Sequence, residues 1–169
     1  MLSATEELKI RAKLWLKKSP DTAEHRSLLV LSRGNPPQLK HALLLLARQA
    51  GFKDWQQAQL ILSCEQSLTR HQDAGKFWHA KPCLSLLNHW CASYSEALHL
   101  QVSQGGVLLP YKTQYVLAQE VYLQALGMRV SDPLWAELNY NWCQGPQALR
   151  QALAYQRLLA QQTECYRAC

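Results

Sequence analysis

The spacing of hydrophobic positions divides the chain into a helical first part and a mixed second part. Across the first 70 residues, apolar side chains recur every three or four positions, as they do on the buried face of a helix. Leu8, Ala12 and Trp15, for example, share one stripe. The predicted helices span residues 4–18, 21–31, 39–50 and 55–68. We therefore predict an N-terminal four-helix unit.

Capping residues, prolines and glycines mark the ends of these helices. Ser3 and Glu6 form a capping box before the first helix, and Ser19–Pro20 supplies a cap and a first helical position for the second. Gly51 is placed to end the third helix in the left-handed conformation. These signals agree with the hydrophobic spacing and support four separate helices.

The second part of the chain mixes strand and helix patterns. Residues 71–83 show no sustained period and predict a connecting loop. Strands are predicted at 84–92 and 107–118, with Pro110 confining the later strand to a sheet edge or a bulge. The helices predicted here span 94–104, 119–126, 133–142 and 146–162. The predicted fold class is α+β, predominantly helical: the four-helix unit is followed by a strand-helix-strand unit with a small sheet and by C-terminal helices.

Length and composition indicate a single globular protein. A chain of 169 residues is long enough to bury one core, so we predict a basic helical unit over 1–70 and an α+β unit over 71–169, packed as one compact domain. With 48% hydrophobic and 18% charged residues, the composition is that of an ordinary soluble protein. No signal peptide or membrane span is recognisable, so we expect a cytoplasmic protein whose six cysteines stay reduced.

Positive charge is concentrated in the first part of the chain. The first 70 residues contain 11 Lys or Arg against 6 Asp or Glu, whereas the remaining 99 contain 7 against 6. The basic residues of the first helix are Lys9, Arg11, Lys13, Lys17 and Lys18. A basic helix face attracts a polyanion by releasing its counterions. We predict that these residues contact nucleic acid, with a protein partner as the alternative.

Cysteine and histidine occur together around the predicted strand at 84–92. Cys83 ends the preceding loop, His89 lies in the predicted strand and Lys112 lies in the later one, so we expect the fold to bring a thiol, an imidazole and an ammonium group together. Asn88 and Gln114 complete this predicted pocket. The alternative to a binding protein is therefore a small enzyme with Cys83, His89 and Lys112 as catalytic residues. Buried packing is the competing interpretation for each cysteine.

Potential metal ligands are also dense in this region. Six of them lie within 28 residues: Cys64, His71, His79, Cys83, His89 and Cys91. The C-x-x-C pairs that are typical of structural zinc sites are missing, so zinc binding is a further alternative and we assign no metal ligand and no cofactor. The sequence also has no glycine-rich phosphate loop, G-x-S-x-G or H-E-x-x-H motif, which disfavours nucleotide-dependent chemistry.

One segment resembles a known module. The run ALLLLARQAGFKDWQQAQ, from Ala42 to Gln59, resembles a helix, turn, helix module of uncharacterised bacterial proteins, in which a Gly-Phe turn is followed by Trp, here Gly51, Phe52 and Trp55. The resemblance covers about a tenth of the chain, implies a bacterial source and identifies no active-site residue or functional family. The leading hypothesis is a bacterial binding or regulatory protein that contacts nucleic acid through its basic N-terminal helices.

Overall fold

The computed structural model describes residues 2–18 and 21–167, with 163–167 described by their backbone alone. The predicted cap and proline at Ser19 and Pro20 lie outside the described residues, as do Cys169 and the side chain of Cys165. Within the described ranges, eight α-helices and a three-stranded antiparallel sheet form an α+β, predominantly helical fold. The predicted fold class is therefore confirmed.

Four helices occupy the N-terminal part, as predicted. They are α1 (Ala4–Leu16), α2 (Ala23–Leu31), α3 (Leu39–Gln49) and α4 (Trp55–Leu62). The capping box of α1 is formed, because the Ser3 hydroxyl accepts from the Glu6 N–H and the Glu6 carboxylate accepts from the Ser3 N–H. Helix α1 buries Ala4, Leu8 and Ala12 and packs against the other three helices. Its opposite face is left for solvent.

The middle of the chain forms the sheet and one helix. A short 3₁₀ helix (Lys81–Ser85) precedes β1 (His89–Cys91), which is followed by α5 (Tyr94–Gln104), β2 (Val107–Tyr111) and β3 (Gln114–Ala118). The predicted strand at 84–92 is thus reduced to three residues, because its first part is taken up by the 3₁₀ helix. Helix α5 packs against all three strands.

The single strand predicted over 107–118 is wrong, because this segment is a hairpin. The chain turns at Lys112, whose φ of 49° lies in the left-handed region. Two backbone hydrogen bonds to a distant loop hold the turn: Lys112 N–H donates to the Gly75 carbonyl at 2.7 Å, and Ala74 N–H donates to the Lys112 carbonyl at 2.9 Å. Neither Lys112 nor Thr113 is a typical turn residue, so the local sequence gives no signal for this turn.

The sheet order is β1-β3-β2, which leaves β1 and β2 as edge strands. Pro110 lies in β2, so its predicted edge position is confirmed. The outer side of β2 is covered by a following segment, where Leu108 N–H donates to the Tyr140 carbonyl at 2.8 Å and Trp142 N–H donates to the Leu108 carbonyl at 3.0 Å. No described strand pairs with the outer side of β1.

The C-terminal part returns to helix. Its helices are α6 (Glu120–Ala125), α7 (Pro133–Glu137) and α8 (Gln147–Arg167). The predicted helix at 133–142 ends early, because Asn139 and Tyr140 both adopt positive φ angles and reverse the chain. Helix α8 packs back against α1 and α7. Among the described residues, no helix combines the length and the apolar character needed to cross a bilayer.

One hydrophobic cluster extends through both parts of the chain and contains the rings of Trp78, Trp135 and Trp142, with Trp78 in edge contact with each of the others. Two arginines of α8, Arg150 and Arg157, are almost fully buried beside it. Arg150 donates to the carbonyls of residues 64, 66 and 142, and Arg157 donates to those of residues 77 and 126. These guanidinium groups tie α8 to the backbone of the segments around the core, a role that the sequence pattern does not reveal.

Candidate functional site

The predicted catalytic residues come from three different local environments. Cys83 lies in the 3₁₀ helix and is fully buried, whereas His89 lies on β1 and is exposed. Lys112 forms the hairpin turn, and its Nζ lies 5.5 Å from the centre of the Tyr111 ring. Each residue is therefore placed by a different element.

Cys83 and His89 face opposite sides of the sheet. Side chains alternate along β1, so His89 and Cys91 point to the same face. Cys91 pairs with Tyr115, whose ring lies 5.7 Å from that of Tyr94 in α5, which identifies the α5 side. Cys83 instead lies near Tyr122, whose pKa is raised by burial and by this thiol, and Tyr122 bonds to His79, which contacts Trp90 on the other side. The structure therefore does not bring the predicted thiol and imidazole into one pocket.

The remaining predicted pocket residues are also divided. Asn88 and His89 line an open groove of about 730 Å³ between β1 and α5, together with Glu96 and His99. The Asn88 amide donates to the carbonyls of Cys83 and Leu86, so it fixes the approach to β1. Lys112 and Gln114 do not line this groove: Gln114 begins β3 at the exposed end of the hairpin.

The geometry gives no support to a zinc site. Within the described residues, no three or more His, Cys, Asp or Glu side chains are grouped closely enough to hold a metal ion. Cys64 and Cys91, the first and last of the predicted ligands, are buried, and burial raises the pKa of each thiol, that of Cys64 to about 12. Both thiols are therefore neutral near pH 7, as expected for cysteines that pack in a core.

The basic face of α1 is smaller than predicted. Arg11 is buried, and its Nε donates to the Glu7 carboxylate at 2.7 Å, so it does not belong to the surface. Lys18 forms an ion pair with Glu24 at 2.7 Å and lies 5.9 Å from the centre of the Trp15 ring. Both positive charges are therefore paired within the protein, Arg11 in a buried position and Lys18 in a partly exposed one.

Lys9, Lys13 and Lys17 remain as an exposed row on the outer face of α1. A spacing of four residues places successive lysines about 6 Å apart along the helix axis. No ion pair is found for these three among the residues described. Ile10 and Leu14, which are 43% and 57% exposed, flank the row on its apolar side. We refer to Lys9, Lys13 and Lys17 as the lysine row.

A cluster of aromatic rings beside β1 was missed by the sequence analysis. The rings of His79, Trp90 and Tyr111 contact one another edge to face, with centroids 4.9 to 5.7 Å apart. His79 Nδ1 lies 2.8 Å from the Tyr122 hydroxyl, which donates to the Trp78 carbonyl at 2.9 Å. Burial lowers the pKa of His79, and the charge of Lys76 acts in the same direction. We call His79, Trp90 and Tyr111 the aromatic patch.

The only signal for this patch in the sequence is the aromatic character of the residues, because they come from a loop and two strands that are distant along the chain. The chain matches no protein-family model, no curated protein and no solved structure. The lysine row and the aromatic patch are the two surface features of this mostly helical α+β protein that bear on its function.

Proposed function

We propose that this chain is a cytoplasmic bacterial binding or regulatory protein that holds a nucleic acid through the lysine row of α1. The observation that carries the proposal is the separation of charges on this helix. Glu7 neutralises Arg11 on the inner side and Glu24 neutralises Lys18 at the end, while Lys9, Lys13 and Lys17 project outward.

The fold gives this row the rigidity that binding requires. Helix α1 starts at a formed capping box and is anchored by Ala4, Leu8 and Ala12 against the core, so the backbone that carries Lys9, Lys13 and the C-cap residue Lys17 is held in place. A polyanion that contacts them displaces counterions, and this release is the main source of sequence-independent affinity for nucleic acids. The formal net charge of +6 acts in the same direction by attracting the ligand over longer distances.

The alternative of an enzyme has weaker support. Cys83 is fully buried, and His89 faces the other side of the sheet. The groove at β1 contains His89, Glu96 and His99, but its one thiol, Cys91, is buried, and no hydrogen bond is found between its serines, Ser95 and Ser103, and either histidine among the described residues. A binding role needs only the surface charge that is present on α1.

The proposal is tested by exchanging the lysine row for glutamate. Each Lys→Glu exchange removes two units of positive charge, so Lys9→Glu, Lys13→Glu and Lys17→Glu together abolish the row and replace attraction by repulsion. Binding of a fluorescein-labelled single-stranded oligonucleotide is measured by anisotropy at about 50 and 200 mM salt. We expect the variant to lose affinity and the plot of log K against log salt to become about 2 units less steep, because three phosphate contacts each contribute about 0.7.

A matched control carries the same change of charge at other exposed positions. Lys40, Lys53 and Arg129 are exposed and lie outside both surface features, so the triple exchange of these residues for glutamate serves this purpose. The control should retain the wild-type salt slope. If both triple variants lose affinity equally, only the net charge matters and the lysine row has no specific role. If wild-type protein does not bind at low salt, nucleic-acid binding itself is refuted.

A further inference from the structure

The aromatic patch has the exposure and the rigidity of a stacking surface. Trp90 is 40% exposed, and His79 and Tyr111 are half-buried beneath it. Strand pairing with β3 fixes the backbone of Trp90 and of Tyr111, and their rings contact each other and the His79 ring. His79 is fixed by its hydrogen bond with Tyr122. A planar ligand that stacks on Trp90 would therefore order few side chains, which keeps the entropic cost of binding small.

Two lysines lie beside the patch. Lys112 Nζ lies 5.5 Å from the centre of the Tyr111 ring, and Lys76 shares a tight turn with His79, whose N–H donates to the Lys76 carbonyl at 3.0 Å. Both lysines are exposed. Asp73, the acid that is nearest to Lys76 in the sequence, accepts the Gly75 N–H with its carboxylate at 2.9 Å. The rings are thus accompanied by positive charge that a ligand can reach.

This combination favours a nucleic acid over a protein as the ligand. Protein interfaces are depleted in lysine, whereas aromatic rings combined with lysines are the usual features of a surface that binds single strands. In a duplex the faces of the bases are covered by their neighbours, so an exposed indole ring finds a free base only on an unpaired strand.

We infer that the aromatic patch stacks an unpaired base on Trp90, with Lys76 and Lys112 beside the flanking phosphates, so that the ligand is single-stranded nucleic acid. The inference rests on the proposed function, because it assumes a nucleic-acid ligand. It adds the class of that ligand and a second contact surface, and it uses none of the residues of the lysine row.

The test separates stacking from charge. Wild-type protein, Trp90→Leu and Trp90→Phe are titrated against a labelled oligothymidylate, an abasic strand of the same length and a duplex, all at the same salt concentration. Stacking of one base on an aromatic ring contributes enough that Trp90→Leu should bind the oligothymidylate about 5- to 150-fold more weakly. Trp90→Phe keeps an aromatic ring and should recover part of the loss. The affinity for the abasic strand and for the duplex should change less than about twofold, because neither offers a free base.

Tyr140→Leu is the matched control, since Tyr140 is 39% exposed and lies outside the patch. It should bind all three ligands as the wild-type protein does. Equal binding of the oligothymidylate by Trp90→Leu and wild type overturns the inference, as does an equal loss for the oligothymidylate and the abasic strand. Retained binding in the Trp90 variants together with loss in the lysine-row variant would leave the proposed function standing without the stacking site. The opposite pattern would retain the stacking site and refute the lysine row. Failure of the wild type to bind any of the three refutes both.

Discussion

Replacing the buried Arg150 by methionine should destabilise the protein strongly. The side chain is 2% exposed, and its guanidinium group lies 5.0 Å from the centre of the Trp142 ring. Arg150 Nε donates to the Trp142 carbonyl at 2.7 Å, and Nη1 donates to the carbonyls of Cys64 and Gln66 at 3.2 and 2.9 Å. One side chain thus connects α8 to the segment after α4 and to the segment that covers β2.

Two opposing effects determine the size of the change. Methionine fills a similar volume without a charge, and this relieves the cost of burying the guanidinium group, whose pKa burial lowers. The exchange also leaves the carbonyls of Cys64 and Trp142 buried without this donor, at about 1 to 3 kcal/mol each. Loss of the cation–π contact adds about 1 kcal/mol. We expect a net loss of about 2 to 4 kcal/mol, a large part of the typical stability of about 5 to 15 kcal/mol.

The free energy of unfolding is measured by urea denaturation, followed by circular dichroism, for wild type, Arg150→Met and Arg129→Met. Arg129 is exposed, so its exchange should change the free energy by less than about 0.5 kcal/mol. A loss below about 1 kcal/mol for Arg150→Met, with an unchanged dependence on urea, would show that relief of the buried charge outweighs the lost hydrogen bonds. The interpretation of Arg150 as a structural residue would then be refuted.

Two further predictions concern buried groups. The four cysteines whose side chains the structure describes are buried: Cys64, Cys83, Cys91 and Cys143. Iodoacetamide should therefore label them far more slowly in native protein near neutral pH than after denaturation, as measured by peptide mass. Rapid labelling of Cys83 would contradict its burial and revive the enzyme hypothesis. Because the folded protein lowers the pKa of His79 below the ordinary value of 6.5, the unfolded chain takes up this proton first as the pH falls. The contribution of His79 to stability is therefore complete above pH 6.5 and is lost as the pH falls towards the folded pKa, so His79→Gln should flatten the decrease in Tm between about pH 7 and 5. If Tm of His79→Gln depends on pH as that of the wild type does, protonation of His79 is not the cause of the decrease in Tm.

The sequence predicts the helical part of the fold well, because its signals are local. The capping box at Ser3, the glycine stop at Gly51 and the cap at Asp54 all act within one helical turn of the boundary they define. Contacts that are distant along the chain are what the sequence pattern fails to predict. The turn at Lys112 depends on hydrogen bonds to Ala74 and Gly75, and no local residue preference reveals them.

The candidate sites show the same division. The spacing of Lys9, Lys13 and Lys17 follows from the period of a helix and could be predicted, whereas the burial of Arg11 depends on the packing of α1 against other helices. Alternation along β1 correctly separates His89 from Trp90. Which face meets the 3₁₀ helix and which meets α5 is decided by tertiary packing, and for this reason Cys83 and His89 were wrongly expected in one pocket.

Binding of single-stranded nucleic acid by the wild-type protein is the central claim, and its salt dependence is the most direct measurement. Anisotropy titrations of a labelled oligothymidylate against the full chain at about 50 and 200 mM salt give the affinity and its slope. We predict that the protein binds the oligothymidylate measurably at the lower salt, binds it more weakly at the higher salt and prefers the single strand to its duplex. No binding at the lower salt, or equal binding of strand and duplex, would contradict it.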